Sequence, residues 1–151
     1  MSKKLITPSN IIIDGDVKDK EAGLYMIAEK AEELGISADA EETFKGFIER
    51  EQEMSTGFTD GFAIPHTRSD SIQYPSVIVV RLKHELNWET MDGQQVKIVI
   101  ALLVPKEVEG NMHITLLSQL SRKLMKASFR EEVMNSFDTE SLFGCFKEIF
   151  E

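Results

Sequence analysis

Between Val77 and Leu103 the chain reads VIVVRLKHELNWETMDGQQVKIVIALL. Its two ends, Val77-Ile78-Val79-Val80 and Ile98-Val99-Ile100-Ala101-Leu102-Leu103, are unbroken apolar runs rich in β-branched residues, the composition of strands buried on both faces. Met91-Asp92-Gly93 between them carries turn chemistry. Upstream, Asn10-Ile11-Ile12-Ile13 is a third short apolar run, ended by the turn residues Asp14-Gly15-Asp16. Leu24, Ile27, Ala28, Ala31 and Leu34 then fall at helical spacing, with Gly35 where a C-terminal cap belongs. A second helix is expected from about Ala38 to Glu51, with Phe44, Phe47 and Ile48 on its apolar face and Asp39 and Glu41 at the end where the dipole favours negative charge. Downstream, Ile114, Leu117, Leu120 and Leu124 predict a helix from about Met112 to Met125, with Asn111 as its N-cap. Ser128-Phe129-Arg130-Glu131 has capping-box form and marks the start of another, and Thr139 to Phe150 makes the last. Interleaved helices and buried strands predict an α/β sheet with helices on its faces. Periodicity does not give the strand order.

The 151 residues are expected to form one domain, 1–151, with no repeat, linker or low-complexity tract. A net charge of −9, from 17 basic and 26 acidic residues, argues against nucleic acid and against an anionic membrane surface, but suits a protein partner with a basic face. The single cysteine, Cys145, excludes an internal disulfide and a C-x-x-C site, and on the apolar last helix it reads as a buried thiol. Two N-terminal lysines have no apolar segment behind them, and the longest wholly apolar run, Ile98 to Val104, is far short of the ~20 residues of a membrane helix. The expectation is a cytosolic protein.

Three histidines could carry chemistry. His66 follows Ala63-Ile64-Pro65. Proline ends the strand, so His66 is expected to enter a loop, where ligands of α/β sheets commonly bind; the alternative is a surface turn histidine. His113 lies at a helix start, where free N–H groups favour an anion, or is simply a solvated polar residue there. His84, among charged residues after a strand, reads as a solvated loop histidine. Arg50 complements the end of the second helix, and its guanidinium fork also suits phosphate oxygens; Arg68, two residues after His66, either does likewise or simply faces solvent. Met54 to Gly61, with Gly57 and Gly61 among small polar residues, is a loop. It is not a P-loop, having the wrong spacing and no lysine; H-E-x-x-H, G-x-S-x-G and metal-ligand spacing of the histidines are absent too. No cofactor and no metal are expected.

The segment Ser55-Thr56-Gly57-Phe58-Thr59-Asp60-Gly61-Phe62-Ala63-Ile64-Pro65-His66 closely resembles the active-site signature of fructose/mannitol-class enzyme IIA proteins of the bacterial sugar phosphotransferase system (S-T-G, a short spacer, G-x-A-[ILV]-P-H). The resemblance extends from about residue 5 to 148. It includes Arg50 shortly before S-T-G, His113 at the helix after the later strand, Trp88, Met91-Asp92-Gly93 and Val104-Pro105. Many members have a small residue after the histidine, where this chain has Thr67 and then Arg68.

This resemblance implies a mannitol-type enzyme IIA fold, a mixed sheet of about five strands with helices on both faces. It implies a phosphotransferase component in which His66 accepts phosphate from phospho-HPr and passes it to a cysteine of enzyme IIB for coupled sugar uptake. Arg50 and His113 would stabilise the transferring group, with help from backbone N–H groups of the Gly57–Gly61 loop. Association with a membrane enzyme IIC would be indirect. An apolar rim from Phe58, Phe62 or Met112 is expected around His66. The alternative within the family is a regulatory, nitrogen-type enzyme IIA whose phosphorylation state controls partner binding. Outside it stand a non-phosphorylated binding protein on the same fold and a small hydrolase using His66 and His113 as an acid/base pair.

Overall fold

The computed structural model describes residues 4–107 and 112–150. A 3-10 turn (Pro8–Asn10) leads into β1 (Ile11–Gly15), followed by α1 (Lys20–Glu33), α2 (Ala40–Glu53), β2 (Phe62–Ala63), β3 (His66–Ser69), β4 (Ser76–Leu86), β5 (Val96–Pro105), α3 (Met112–Leu124), α4 (Ala127–Met134) and α5 (Thr139–Lys147). The two apolar runs become β4 and β5, paired antiparallel from Ser76–Leu103 to Leu86–Val96. β1 lies parallel to β4, while β2 and β3 both lie parallel to β5 on its other side. The result is the expected five-stranded mixed sheet in the order β1-β4-β5-β2, with β3 continuing the β2 edge.

Both faces of the central pair are covered, which is why neither run alternates. Val77, Val79, Ile98, Ile100, Leu102 and Val104 pack with Leu116, Leu120, Phe129, Val133, Leu142 and Phe146 of α3, α4 and α5. Ile78, Val80, Leu82, Val99, Ala101 and Leu103 pack with Leu24, Ile27, Ala31 and Phe47 of α1 and α2. At about 1.5–3 kcal/mol for each large side chain buried, this double layer supplies most of the driving force for folding.

Aspartates set the helix starts. Asp19, Asp39 and Asp138 accept the N–H groups of Ala22, Glu42 and Ser141 at 2.8, 3.2 and 2.8 Å. Gly35 caps α1 with φ of +77°, as its position predicts. The capping box expected at Ser128–Glu131 does not form. Only Met125 and Lys126 separate α3 from α4, so the tight corner starts α4 at Ala127, with Lys126 at a cap position that lacks a side-chain bond. Asn111 lies outside the described residues. His84 belongs to the exposed outer part of β4 and not to a loop, since pairing resumes beyond it at Leu86.

α2 crosses β3 at close range. Thr67 is 3% exposed, and its hydroxyl is buried with no hydrogen-bond partner among the described residues. A Cβ placed on Gly46 would overlap that hydroxyl and come within 3.3 Å of Thr67 Cβ. Gly46→Ala is therefore expected to destabilise the fold. Overpacking costs about 1–3 kcal/mol and outweighs a helix-propensity gain of about 0.8–1.0 kcal/mol. Thr67→Val, which removes the unpartnered hydroxyl, is expected to hold or raise stability. Urea unfolding checks both, and a midpoint raised by Gly46→Ala overturns the close approach.

Candidate functional site

Pro65 has no N–H to give a ladder, so it divides the edge strand into β2 and β3 without ending it. His66 is accordingly the first residue of β3, paired with Leu102, and does not enter a loop as expected. Pro65 still accepts from Leu102 N at 2.9 Å, which carries the edge across the break. Strand alternation then orders the side chains. Thr67 turns toward Gly46 of α2, whereas His66 and Arg68 turn to the opposite face, the one that α3 covers.

Both nitrogens of the His66 ring are engaged. Arg50, in the last turn of α2, donates from Nε to His66 Nε2 at 2.9 Å and from Nη1 to the Met54 carbonyl at 2.9 Å. On the other side, His66 Nδ1 lies 3.2 Å from the Ile64 carbonyl. A guanidinium can only donate and a carbonyl can only accept. The ring proton therefore sits on Nδ1 and the lone pair on Nε2. The His66 pKa is held below the ordinary histidine value, mainly by burial and also by the Arg50 charge, against an upward pull from the Ile64 carbonyl.

His113 is the second residue of α3 and half-buried, and among the described residues it makes no hydrogen bond. Its charge is felt at His66, and its own pKa is lowered by burial and then by Arg68. Arg68 is exposed and donates from Nη2 to the Lys106 carbonyl at 3.2 Å. The structure thus gathers Arg50, His66, His113 and Arg68 at one edge of the sheet. His84 lies between Arg81, partner of Ile98, and Leu86, partner of Val96, at the far end of β5 from Leu102.

The Ser55–Gly61 segment is held from two sides. Gly57 bridges to Ala63, Phe58 N donates to the Phe62 carbonyl at 2.8 Å, and Ile64 N donates to the Thr56 carbonyl at 2.9 Å. Gly57 passes so close to the Glu89 carbonyl that a Cβ there would overlap it. Asp92 accepts from Thr59 Oγ1, Asp60 N and Gln94 N at 2.8, 2.9 and 3.1 Å. Those bonds, the backbone N–H of Asp60 foremost, bring its pKa down to about 2. The N–H groups of Gly57, Phe58 and Asp60 are thus taken up internally and are not aimed at a ligand, contrary to expectation.

Glu51, which sequence reading did not single out, anchors the same segment. Its side chain is 5% exposed and pairs with Lys20 at 2.7 Å. It accepts from Thr56 N and Trp88 Nε1, each at 3.2 Å, and from Thr56 Oγ1. The only cue in the sequence was its place beside Arg50. The expected apolar rim also changes membership. Phe62 is fully buried and Phe58 packs against the core, whereas Met112 is exposed together with Met54 and Ile114.

Among the described residues, no helix is long and apolar enough to cross a membrane. The family model described as "Phosphoenolpyruvate-dependent sugar phosphotransferase system, EIIA 2" matches residues 4–149. The chain is 32% identical over 143 residues to multiphosphoryl transfer protein 1 of Escherichia coli K12, covering 93% of this chain but only 17% of that much longer relative. It is 29% identical over 147 residues to the PTS system fructose-specific EIIA component of Haloferax volcanii, covering 97% of this chain and 95% of that one. The crystal structure of the nitrogen regulatory protein IIA-Ntr from Neisseria meningitidis matches with a TM-score of 0.85 at 27% identity, over 93% of this chain and 95% of that one. With a family model matched over nearly its whole length, and with the fold that the signature implied, the chain belongs to the EIIA 2 family of the phosphoenolpyruvate-dependent sugar phosphotransferase system.

Proposed function

We propose that this chain is a phosphoryl carrier that accepts phosphate from phospho-HPr on Nε2 of His66 and passes it to a cysteine of an enzyme IIB. The observation that carries the reading is the His66 ring, proton-bearing on the Ile64 side and with its lone pair turned to Arg50. In the first step the Nε2 lone pair attacks phosphorus. The donor's P–N bond breaks, and its electron pair returns to the donor ring. The Arg50 Nε–H, released from Nε2, turns to the phosphoryl oxygens. Positive charge left on the ring is shared with the Ile64 carbonyl through Nδ1–H. A donating or cationic His113 ring acts on the same oxygens, a role supported by its charge coupling to His66. In the second step a cysteine thiolate attacks phosphorus, and His66 leaves as the neutral imidazole it was. Transfer between histidines is nearly isoenergetic, so alignment and charge stabilisation are what the site must supply.

The partners meet the site through its rim. Met54 takes the Arg50 bond on its carbonyl, and Met112 and Ile114 flank His113; all three are exposed. Both partner proteins are cytosolic components on this reading, and contact with a membrane enzyme IIC is indirect. The resemblance to the Neisseria nitrogen regulatory protein favours a second reading, in which the phosphorylation state of His66 controls binding to a regulator. Transfer of the phosphoryl group onto the cysteine of a fructose-class enzyme IIB supports transport; acceptance from HPr without onward transfer supports regulation.

His66→Ala is expected to abolish acceptance from phospho-HPr, and His84→Ala to leave it intact. Mass spectrometry under alkaline conditions locates the modified residue, and base-stable phosphate persisting in His66→Ala sinks the assignment. Arg50→Ala and His113→Ala are each expected to slow transfer by about 10²-fold, the usual effect of removing one donor to developing charge. Near-normal rates in both remove the support for the pocket. In an NMR pH titration of the unphosphorylated protein, the His66 midpoint should lie below 6.5, the ordinary histidine value. Acceptance should therefore persist as pH falls through that value and fail only once the ring protonates. Arg50→Gln, by removing a positive charge beside the ring, should move the midpoint up.

A further inference from the structure

We propose that Glu51 is a positioning residue that fixes the proton-bearing side of the His66 ring, acting through Thr56 and Ile64; the inference rests on the reading of His66 as acceptor. Glu51 and Arg50 are consecutive residues of α2, yet they act on opposite nitrogens of one imidazole. Arg50 reaches Nε2 directly. Glu51 works at a distance. Its carboxylate takes both donors of Thr56, the N–H at 3.2 Å and the hydroxyl. Thr56, so held, accepts the Ile64 N–H on its carbonyl at 2.9 Å. Ile64, held at its N–H, presents its own carbonyl to His66 Nδ1 at 3.2 Å.

The carboxylate is itself immobilised from two other segments. Lys20, at the start of α1, pairs with it at 2.7 Å, and Trp88 Nε1, beyond the end of β4, donates to the same oxygen at 3.2 Å. Four donors from three segments thus meet one side chain that is 5% exposed. A buried carboxylate so saturated is a fixed point, and its fixity is handed on to Ile64. Without it the Ser55–Gly61 segment keeps its Asp92 contacts at the far end, but the Thr56–Ile64 rung loses its anchor. The Nδ1 proton then has a less firmly held acceptor, only Arg50 still restrains the ring, and the ring turns and exchanges tautomers more readily. A lone pair that leaves Nε2 for part of the time is one not aimed at phosphorus.

The test uses the intact, unphosphorylated protein. Imidazole 15N shifts of His66 should report the Nδ1–H tautomer in the wild type and a mixture in Glu51→Gln, which keeps the shape but places an NH2 among donors. Thr56→Val should give the same mixture and Thr56→Ser should restore the single tautomer. Trp88→Phe removes one of four donors from Glu51 but leaves the Glu51–Thr56 bonds, so it should lower the melting temperature while moving the tautomer far less than Glu51→Gln does. Transfer from phospho-HPr should fall at least 10-fold in Glu51→Gln and Thr56→Val, with the KM for phospho-HPr changed less than 2-fold. A single tautomer in both of those variants, or a shift as large in Trp88→Phe, overturns the proposal by reducing Glu51 to a support of the fold. If Glu51→Gln does not fold, the Thr56 pair carries the test. Failure of the acceptor reading is separate: it shows as phosphate accepted by His66→Ala, whatever the tautomer does.

Discussion

An imidazole set between a group that can only donate and a group that can only accept is left with one arrangement of its proton. At His66 the donor is Arg50 Nε and the acceptor is the Ile64 carbonyl. The rest of the structure can be read as what keeps these two groups on opposite sides of the ring. Arg50 is placed by α2, and α2 is seated on β3 where Gly46 lets it approach Thr67. Ile64 is placed by the short ladder between residues 56–58 and 62–64, and by Pro65, whose lack of an N–H interrupts the edge strand just there. The buried β4–β5 pair stands behind both, since β2 and β3 take their register from β5.

Features that rest on local chemistry were legible in the sequence. The runs Val77–Val80 and Ile98–Leu103 are apolar on every residue because helices cover both faces, and no other arrangement would have tolerated them. Asp39 and Gly35 mark helix ends for reasons contained within one turn. The strand character of His66-Thr67-Arg68-Ser69 was not legible. Only Thr67 and Ser69 are buried there, neither is apolar, and the segment is extended because β5 offers it a partner some 35 residues downstream in the chain. Ser128–Glu131 shows the opposite failure. Its capping box is a sound local rule, overruled by the two-residue corner between α3 and α4. The histidine, the arginine beside it and His113 were singled out through the resemblance; Glu51 was not, because its partners lie on three other segments that only the fold brings together.

Net charge and local charge point in opposite directions. The chain carries −9 overall, yet the edge holding His66 also presents the guanidiniums of Arg50 and Arg68 beside His113. The carboxylates are concentrated elsewhere: Glu29, Glu32, Glu33, Asp39 and Glu41 line a groove between α1 and α2. At physiological ionic strength a charge is screened over about 8 Å. On the reading of His66 as acceptor, an arriving phosphoryl group responds to the cations beside it more than to the acidic groove. Burial, with the Arg50 charge, lowers the His66 pKa, so on the proposed reading one arrangement both draws the dianion in and preserves the lone pair that receives it.

On the proposed reading the carrier must release each of its partners, and the size of the rim sets how firmly it can hold them. Met54, Met112 and Ile114 are the exposed large apolar residues next to Arg50 and His113. Burying each fully against a visitor would contribute about 1.5–3 kcal/mol. Three together reach about 5–9 kcal/mol, which is no more than the lower half of the ~4–15 kcal/mol that association costs in lost freedom of motion. Net affinity then depends on charge pairing at the edge, and an interface of this kind dissociates readily. Two of the three are methionines, whose unbranched side chains re-pack against surfaces of different shape. A rim both weak and adaptable suits a site that, on the proposed reading, meets a histidine of one protein and a cysteine of another. A larger or stiffer apolar surface would favour one visitor and slow its departure, and the phosphoryl group would go no further.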